Sequence, residues 1–379
     1  MRKTLTIHAN IHAKSVLSCL TGMILCLSGL GQHLKRDTTK QTFAQVICQT
    51  GLFGTGIRND SVSLPGSIYN AVDVRFGWQS RRNGLYTTLY RHPTFGIGCY
   101  AATFNRPEIG SPFAIYGFVD FPFWTKKEKW QWMYSMAMGL SYNFNPYDRE
   151  KNPLNTLIGS RQNAYIHFHG RINHKISDRL SLGFGLGFTH FSNGAYRLPN
   201  VGLNKGSLLV GVQYRTSREK PLNQNEALPT YSRKIQMDLY WSNGVKNFRP
   251  GGAIYWKTGI GLSRTWSIDH RYRLGIGTDL FARTGAASIA GSTNLSENTW
   301  SSGVYAAWEW VITERLFMPL NIGAYLHDYV ENGTRHRWYE RIGLRYRINQ
   351  NIYTGVSIKA HLHVADFTEW TIGFRPGKP

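Results

Sequence analysis

Apolar and polar positions alternate along this chain in segments of roughly ten residues, the length of a tilted membrane-crossing β-strand. The pattern starts near residue 43 and persists to residue 374. It is clearest in 70–79, 113–121, 131–144, 163–176, 180–192 and 207–215. A second series follows in 234–241, 253–266, 272–281, 300–311, 317–328, 337–348, 352–363 and 369–374. In 180–192 the even positions Leu180, Leu182, Phe184, Leu186 and Phe188 are apolar and large. The odd positions Ser181, Gly183, Gly185, Gly187 and Thr189 are small. Side chains on a strand point alternately to its two faces, so one face is built for lipid and the other for a crowded interior. No stretch asks for a long helix, and outside the N-terminus there is no apolar run near the ~18 residues of a helical span. The expected fold is therefore all-β: a transmembrane antiparallel up-and-down β-barrel, with about eight strands in each half of the chain.

Loop lengths give the strands a direction, because membrane barrels keep one set of turns short and the other long. Thr125-Lys126-Lys127-Glu128-Lys129 is a compact charged turn flanked by Phe121, Phe123, Trp124, Trp130 and Trp132, an aromatic belt at one interface. Ser177-Asp178 is another short turn. The segment 145–161, with Pro146 and Pro153, is longer and belongs to the opposite side. A strand leaving Ser177-Asp178 has crossed the membrane after about ten residues, on reaching His190. If the short turns face the periplasm, His190 lies at the outer leaflet. The stretch 216–232, with Pro221 and Pro229, divides the chain. The expected organisation is a signal peptide over 1–31, a barrel half over 32–216, a linker over 217–232 and a second barrel half of unassigned role over 233–379. The two halves either form one barrel of about sixteen strands, the arrangement expected here, or close separately. Asp178-Arg179-Leu180-Ser181-Leu182-Gly183 resembles His270-Arg271-Tyr272-Arg273-Leu274-Gly275, but hairpins entering a membrane commonly read this way, and no duplication is inferred.

Composition agrees with a barrel: 379 residues, 14% aromatic, 39 glycines, and a mean hydropathy of -0.33 that alternation keeps low. Lys and Arg outnumber Asp and Glu by 44 to 22, a formal charge of +22. That field favours anionic partners. The basic residues are scattered over strand ends and turns without a nucleic-acid-binding motif, so phosphorylated lipid is expected and nucleic acid is not. Arg2, Lys3 and Lys14, the apolar stretch 16–30 and the small residues Gly29 and Gly31 form the secretory signal. Cys19 and Cys26 would leave with it. Cys48 and Cys99 remain, which permits one disulfide or two free thiols.

One strand end carries candidate chemistry. His190 and Ser192 project to the same face, where an imidazole could activate a hydroxyl. A nucleophile on the lipid side suits an enzyme whose substrate is itself a membrane lipid. His167 with His169, and His361 with His363, also pair imidazoles on one strand face, a geometry zinc could use. Neither pair has an evident third ligand, and a lumenal or interfacial role is expected.

The run His190-Phe191-Ser192-Asn193-Gly194, followed by Leu198-Pro199-Asn200-Val201-Gly202-Leu203-Asn204, resembles the active-site signature of the PagL-like outer-membrane lipid A 3-O-deacylases. Asn145-Pro146-Tyr147 and Asn152-Pro153-Leu154-Asn155 resemble the versions labelled acyloxyacyl hydrolases. The resemblance covers 43–216. It implies an eight-stranded outer-membrane barrel that hydrolyses an ester-linked acyl chain of lipid A in lipopolysaccharide, with no metal or cofactor. By the same resemblance Ser192 is the nucleophile and His190 the general base. Asn193, with backbone N–H groups around Gly194 and Ala195, forms the oxyanion hole, and Asn200 braces the loop. Where family members carry a glutamate to orient the histidine, this chain has Asn204. An amide oxygen can fix the tautomer but cannot stabilise an imidazolium as a carboxylate would, so a slower triad is expected. Asp148 and Glu150 in the neighbouring loop are the substitutes should Asn204 play no part. The competing readings are a porin-like or structural barrel without turnover, and a hydrolase of phospholipid or of acyloxyacyl esters.

Overall fold

The computed structural model describes residues 39–54, 67–127, 129–217, 227–283, 300–327, 337–362 and 364–377. The expected signal peptide lies outside them. Among the described residues sixteen antiparallel strands form, together with one short helix. They are β1 (Lys40–Gly54), β2 (Ser67–Ser80), α1 (Leu85–Leu89), β3 (Thr94–Thr103), β4 (Gly110–Lys127), β5 (Trp130–Phe144), β6 (Asn163–Lys175), β7 (Leu180–Ser192) and β8 (Leu203–Arg215), then β9 (Ile235–Asn247), β10 (Ile254–Ser267), β11 (Tyr272–Arg283), β12 (Trp300–Val311), β13 (Leu316–His327), β14 (Trp338–Arg347), β15 (Ile352–His361) and β16 (Val364–Phe374). The helix is far too short to cross a membrane.

The sixteen strands do not make one barrel. β8 turns back onto β1, from Phe43 opposite Arg215 to Gly54 opposite Asn204, and closes the first eight strands. β16 pairs with β9, Glu369 opposite Gly244 through Phe374 opposite Leu239, and closes the second eight. The single sixteen-stranded barrel expected from the sequence is thus replaced by two barrels. The reason is physical: alternation tells each strand which face is which, but not whether an edge strand pairs forward to β9 or back to β1, and only closure satisfies every edge in lipid.

Each barrel turns charged and polar side chains, together with a cluster of aromatic rings, inward and an apolar band outward. On β7 the side chains of Phe184, Leu186 and Phe188 are exposed, while Ser181 and Thr189 are buried inside. Leu208, Val210 and Val212 continue the apolar face on β8, and Ile260, Leu262, Ile276 and Ile372 form its counterpart on the second barrel. Contiguous apolar surface of this kind around a closed barrel is solvated by acyl chains, not water. The lumens are filled. In the first, Arg75 pairs with Asp73, and Arg171 pairs with Asp120 at 2.5 Å and donates to Gln45 at 2.8 Å. In the second, Arg341 bridges Asp279 and Glu369, and Arg375 bridges Asp238 and Glu309. Interiors of eight-stranded barrels are just wide enough for side chains to fill, whereas the larger porin barrels enclose a channel.

Cys48 and Cys99 are free and exposed. Cys48 stands opposite Val72 and Cys99 opposite Val74, so β2 separates them. Two strand spacings of about 4.8 Å put them beyond disulfide reach.

The barrels touch at both ends. At the end bearing the short turns, the Tyr90 hydroxyl donates to the Val311 carbonyl and accepts from Trp310 Nε1 at 2.7 Å, while Arg271 donates to the Leu89 carbonyl. Phe121 packs on Trp310 with ring centroids 5.2 Å apart. At the opposite end, which bears segments 145–161 and 193–202, the Asn247 N–H donates to the Ala195 carbonyl at 2.8 Å.

Candidate active site

The β7–β8 hairpin places the candidate side chains. His190 stands directly opposite Asn204 in the ladder, and both occupy even positions of their strands, the outward face. Directly opposed residues on one face bring their Cβ atoms to about 5 Å, so side chains of this length meet. His190 Nδ1 and Asn204 Oδ1 are 2.6 Å apart. With Nδ1–H donating to that oxygen, the Nε2 lone pair is left free to take a proton. Gly202 makes room for the ring. A Cβ at Gly202 would stand 2.9 Å from His190 Cε1, and its φ of +82° lies in the left-handed region open to glycine.

Ser192 lies two positions beyond His190 at the strand's end and is buried. Its Oγ accepts from Asn200 Nδ2 at 3.0 Å and from the Gly194 N–H at 3.2 Å, with Asn200 Oδ1 at 3.3 Å. Among the described residues no hydrogen bond joins Ser192 to His190. Catalytic hydrogen bonds often form only once substrate is seated. The structure therefore brings together two pairs, His190 with Asn204 and Ser192 with Asn200, on one hairpin.

Asn193 and Asn200 divide the work differently from the sequence expectation. The Asn193 carboxamide is buried and engaged elsewhere, Nδ2 donating at 2.8 Å to both Ser160 Oγ and the Arg197 carbonyl. Its backbone N–H is taken by Asn200 Oδ1 at 2.9 Å. The donors on the Ser192 hydroxyl are the Gly194 N–H and the Asn200 amide. Asn193 fastens the loop, and Asn200 touches the hydroxyl as well as bracing the turn.

The segment 145–161 forms a buttress, a role that sequence reasoning did not assign to it. Asn152 Nδ2 donates to the carbonyls of Glu108, Asn145 and Pro146, and Asn155 Nδ2 to those of Glu108 and Asn145. Asn155 Oδ1 receives the N–H groups of Leu157 and Ile158. The segment so shaped presents the Leu157 carbonyl to the Gly202 N–H, Ser160 to Asn193, and Gly159 against the Leu198–Pro199 backbone. Asp148 accepts from the N–H groups of Glu150 and Lys151, and these bonds hold its carboxyl below the ordinary carboxylate range. Its Oδ1 is thereby spent on its own turn. Neither Asp148 nor Glu150 is bonded to His190 among the described residues.

Among the described residues no group of three or more His, Cys, Asp or Glu side chains gathers as metal ligands would. His169 Nδ1 lies 3.1 Å from His167 Nε2, and His167 Nδ1 lies 2.8 Å from Thr189 Oγ1, all inside the first lumen. His361 Nε2 meets the Tyr325 hydroxyl at 2.8 Å; His363 lies outside the described residues.

Fold and site together define a double, lipid-facing β-barrel protein with a Ser-His-Asn cluster at one rim. Residues 235–378, which hold the whole second barrel, match the family described as acyloxyacyl hydrolase, C-terminal domain. The half without an assigned role is the half that this family covers. No curated protein matches the sequence. Among solved structures, Neisserial surface protein A is 12% identical, covering 46% of this chain and 96% of its own at a TM-score of 0.32. The outer membrane enzyme PagL is 14% identical, covering 44% and 97% at 0.31. OpdQ of Pseudomonas aeruginosa is 8% identical, covering 89% and 97% at 0.23.

Proposed function

We propose that the chain is an outer-membrane serine esterase that removes an acyl chain from lipid A in the outer leaflet. The observation that carries the reading is the His190–Asn204 pair on the lipid-facing surface at the rim, one strand repeat from a serine hydroxyl already held by two N–H donors. The family match over 235–378 supports a hydrolase of acyl esters. In this mechanism Ser192 Oγ attacks the ester carbonyl while His190 Nε2 takes the hydroxyl proton. The carbonyl oxygen becomes an oxyanion, and the Gly194 N–H and Asn200 Nδ2 turn from the hydroxyl to that charge. Collapse expels the glycan-side alkoxide, which receives the proton from His190 and leaves an acyl-serine. Water, deprotonated by His190, then releases the fatty acid and restores Ser192. Asn204 keeps the imidazole in the tautomer these transfers require. No step needs a metal or an organic cofactor.

The substrate is amphiphilic, and the rim suits it. The apolar band of β7 and β8 below His190 can lie along acyl chains, while a chain of net charge +22 attracts lipid A phosphates. The bond cleaved is the 3-O ester by the resemblance of the hairpin. The family's description favours a second reading, an acyloxyacyl ester. Purified protein incubated with lipopolysaccharide decides between them by mass spectrometry of the released acid: cleavage at the 3-O position frees a 3-hydroxyacyl chain, and acyloxyacyl cleavage frees an unsubstituted one. Release that persists in Ser192→Ala would remove the serine mechanism.

A further inference from the structure

The loop that follows Ser192 is not held by its own barrel alone. Gly194 and Ala195 both have φ of +62°, two consecutive residues in the left-handed region, and Ala195 is not a glycine. A non-glycine residue there is strained and persists only where its surroundings hold it. Those surroundings include the second barrel. At the end of β9 the Asn247 N–H donates to the Ala195 carbonyl at 2.8 Å, and Asn247 Oδ1 accepts from the Leu198 N–H at 3.2 Å. Asn247 Nδ2 is anchored within its own barrel on the carbonyls of Gly252 and Ala253, at 2.8 and 3.0 Å. Thr368 of β16 lies against Gly194 so closely that a Cβ there would come within 1.9 Å of Thr368 Oγ1 and 3.0 Å of its Cβ. Gly194 is therefore pinched between the nucleophile it serves and a strand of the other barrel.

We propose that the second barrel completes the site on the first: Asn247 and Thr368 are positioning residues that hold the 194–198 loop with the Gly194 N–H on Ser192. The proposal rests on the serine-esterase reading above. Asn247 touches neither the nucleophile nor the base. It fixes the two ends of the loop, the carbonyl of Ala195 and the N–H of Leu198, whose separation sets the tilt of the Gly194 peptide. A donor meant for an oxyanion loses most of its value with a misplacement of about 1 Å, a change that can cost on the order of a hundredfold in rate.

The test uses the full-length protein in detergent–lipopolysaccharide micelles, with release of fatty acid as the readout. Asn247→Ala keeps the backbone N–H on Ala195 but removes the acceptor of the Leu198 N–H, and is expected to lower kcat by about tenfold or more with KM within about twofold, because the loop orients a donor and does not bind the acyl chain. Asn247→Asp keeps an acceptor for the Leu198 N–H and is expected to recover part of the loss. Gly194→Ala is expected to lower kcat through its collision with Thr368, and adding Thr368→Gly to restore at least about threefold. That rescue crosses the barrel boundary, and a general loss of stability would not produce it. If Ser192→Ala abolishes release while Asn247→Ala keeps the parental kcat, the positioning role is overturned and the esterase stands. If Asn247→Ala fails to fold, the Gly194–Thr368 pair decides: a Gly194→Ala defect that Thr368→Gly leaves unchanged overturns the proposal. Release that survives Ser192→Ala overturns both.

Discussion

At the scale of single residues, the proposed mechanism puts Asn204 where an acid would orient the histidine. Its oxygen accepts the imidazole N–H at 2.6 Å but carries no charge to offset the imidazolium formed when Ser192 is deprotonated. Asn204→Ala is expected to lower kcat by roughly tenfold to a hundredfold, since the tautomer is then unfixed. Asn204→Asp tests the charge directly. A carboxylate beside the ring favours the protonated imidazole, and the base must be neutral to act, so the acidic limb of the kcat/KM profile should move to higher pH while the plateau rate increases. An unmoved limb would mean that residue 204 does not sense the proton on His190. Gly202→Ala should also lower activity, by crowding Cε1 of the ring, with both barrels still folded as judged by heat-modifiable migration on a gel. These contacts were partly legible in the sequence. The even parity of His190 and Asn204 across a hairpin follows from alternation alone. The commitment of Asn193 to Ser160 does not, because a strand-end asparagine has the same local signature whether its amide faces a substrate or a neighbouring loop.

At the scale of elements, β7 and β12 match the bounds read from alternation, 180–192 and 300–311. β3 is harder to read: Gly96 and Gly98 occupy two of its lumen-side positions, where polarity would otherwise mark the inner face. The glycines have a packing reason, since a Cβ at Gly98 would overlap the Tyr116 ring inside the barrel. Asparagines 152 and 155 shape the buttress behind the site through five bonds to backbone carbonyls, and such side-chain turns are invisible to periodicity. The buttress makes its own prediction. Gly159→Ala would drive a Cβ to 2.6 Å from the Leu198 carbonyl and should displace the 193–202 loop, lowering activity more than Ser160→Ala, which removes only one of the two partners of Asn193 Nδ2. Equal activity in the two variants would show that the segment carries the loop passively.

At the scale of the molecule, each barrel is a closed unit with its own interior of ion pairs, and each should report its own stability. Arg375 bridges Asp238 and Glu309 in the second lumen; removing one partner from a buried cluster leaves charge uncompensated at about 3–5 kcal/mol. Arg375→Ala should lower the unfolding midpoint of the second barrel, while the first, closed by β1 against β8, should unfold where it did before. The division into two barrels has a functional consequence that neither half's sequence displays. Asn247 and Thr368 belong to no motif, and alternation lapses beside both, at Lys246–Asn247 and Asp366–Phe367, so their meeting with the 194–198 loop is visible only once both barrels are closed and side by side. A chain ending at residue 227 keeps all eight strands of the first barrel and every residue of the Ser192–His190–Asn204 cluster. It should therefore fold and show heat-modifiable migration, yet release fatty acid at least about tenfold more slowly than the full chain, the loss expected when an oxyanion donor is no longer held in place. Full activity in that fragment would make the second barrel a passenger; folding with lost activity would make the enzyme the pair.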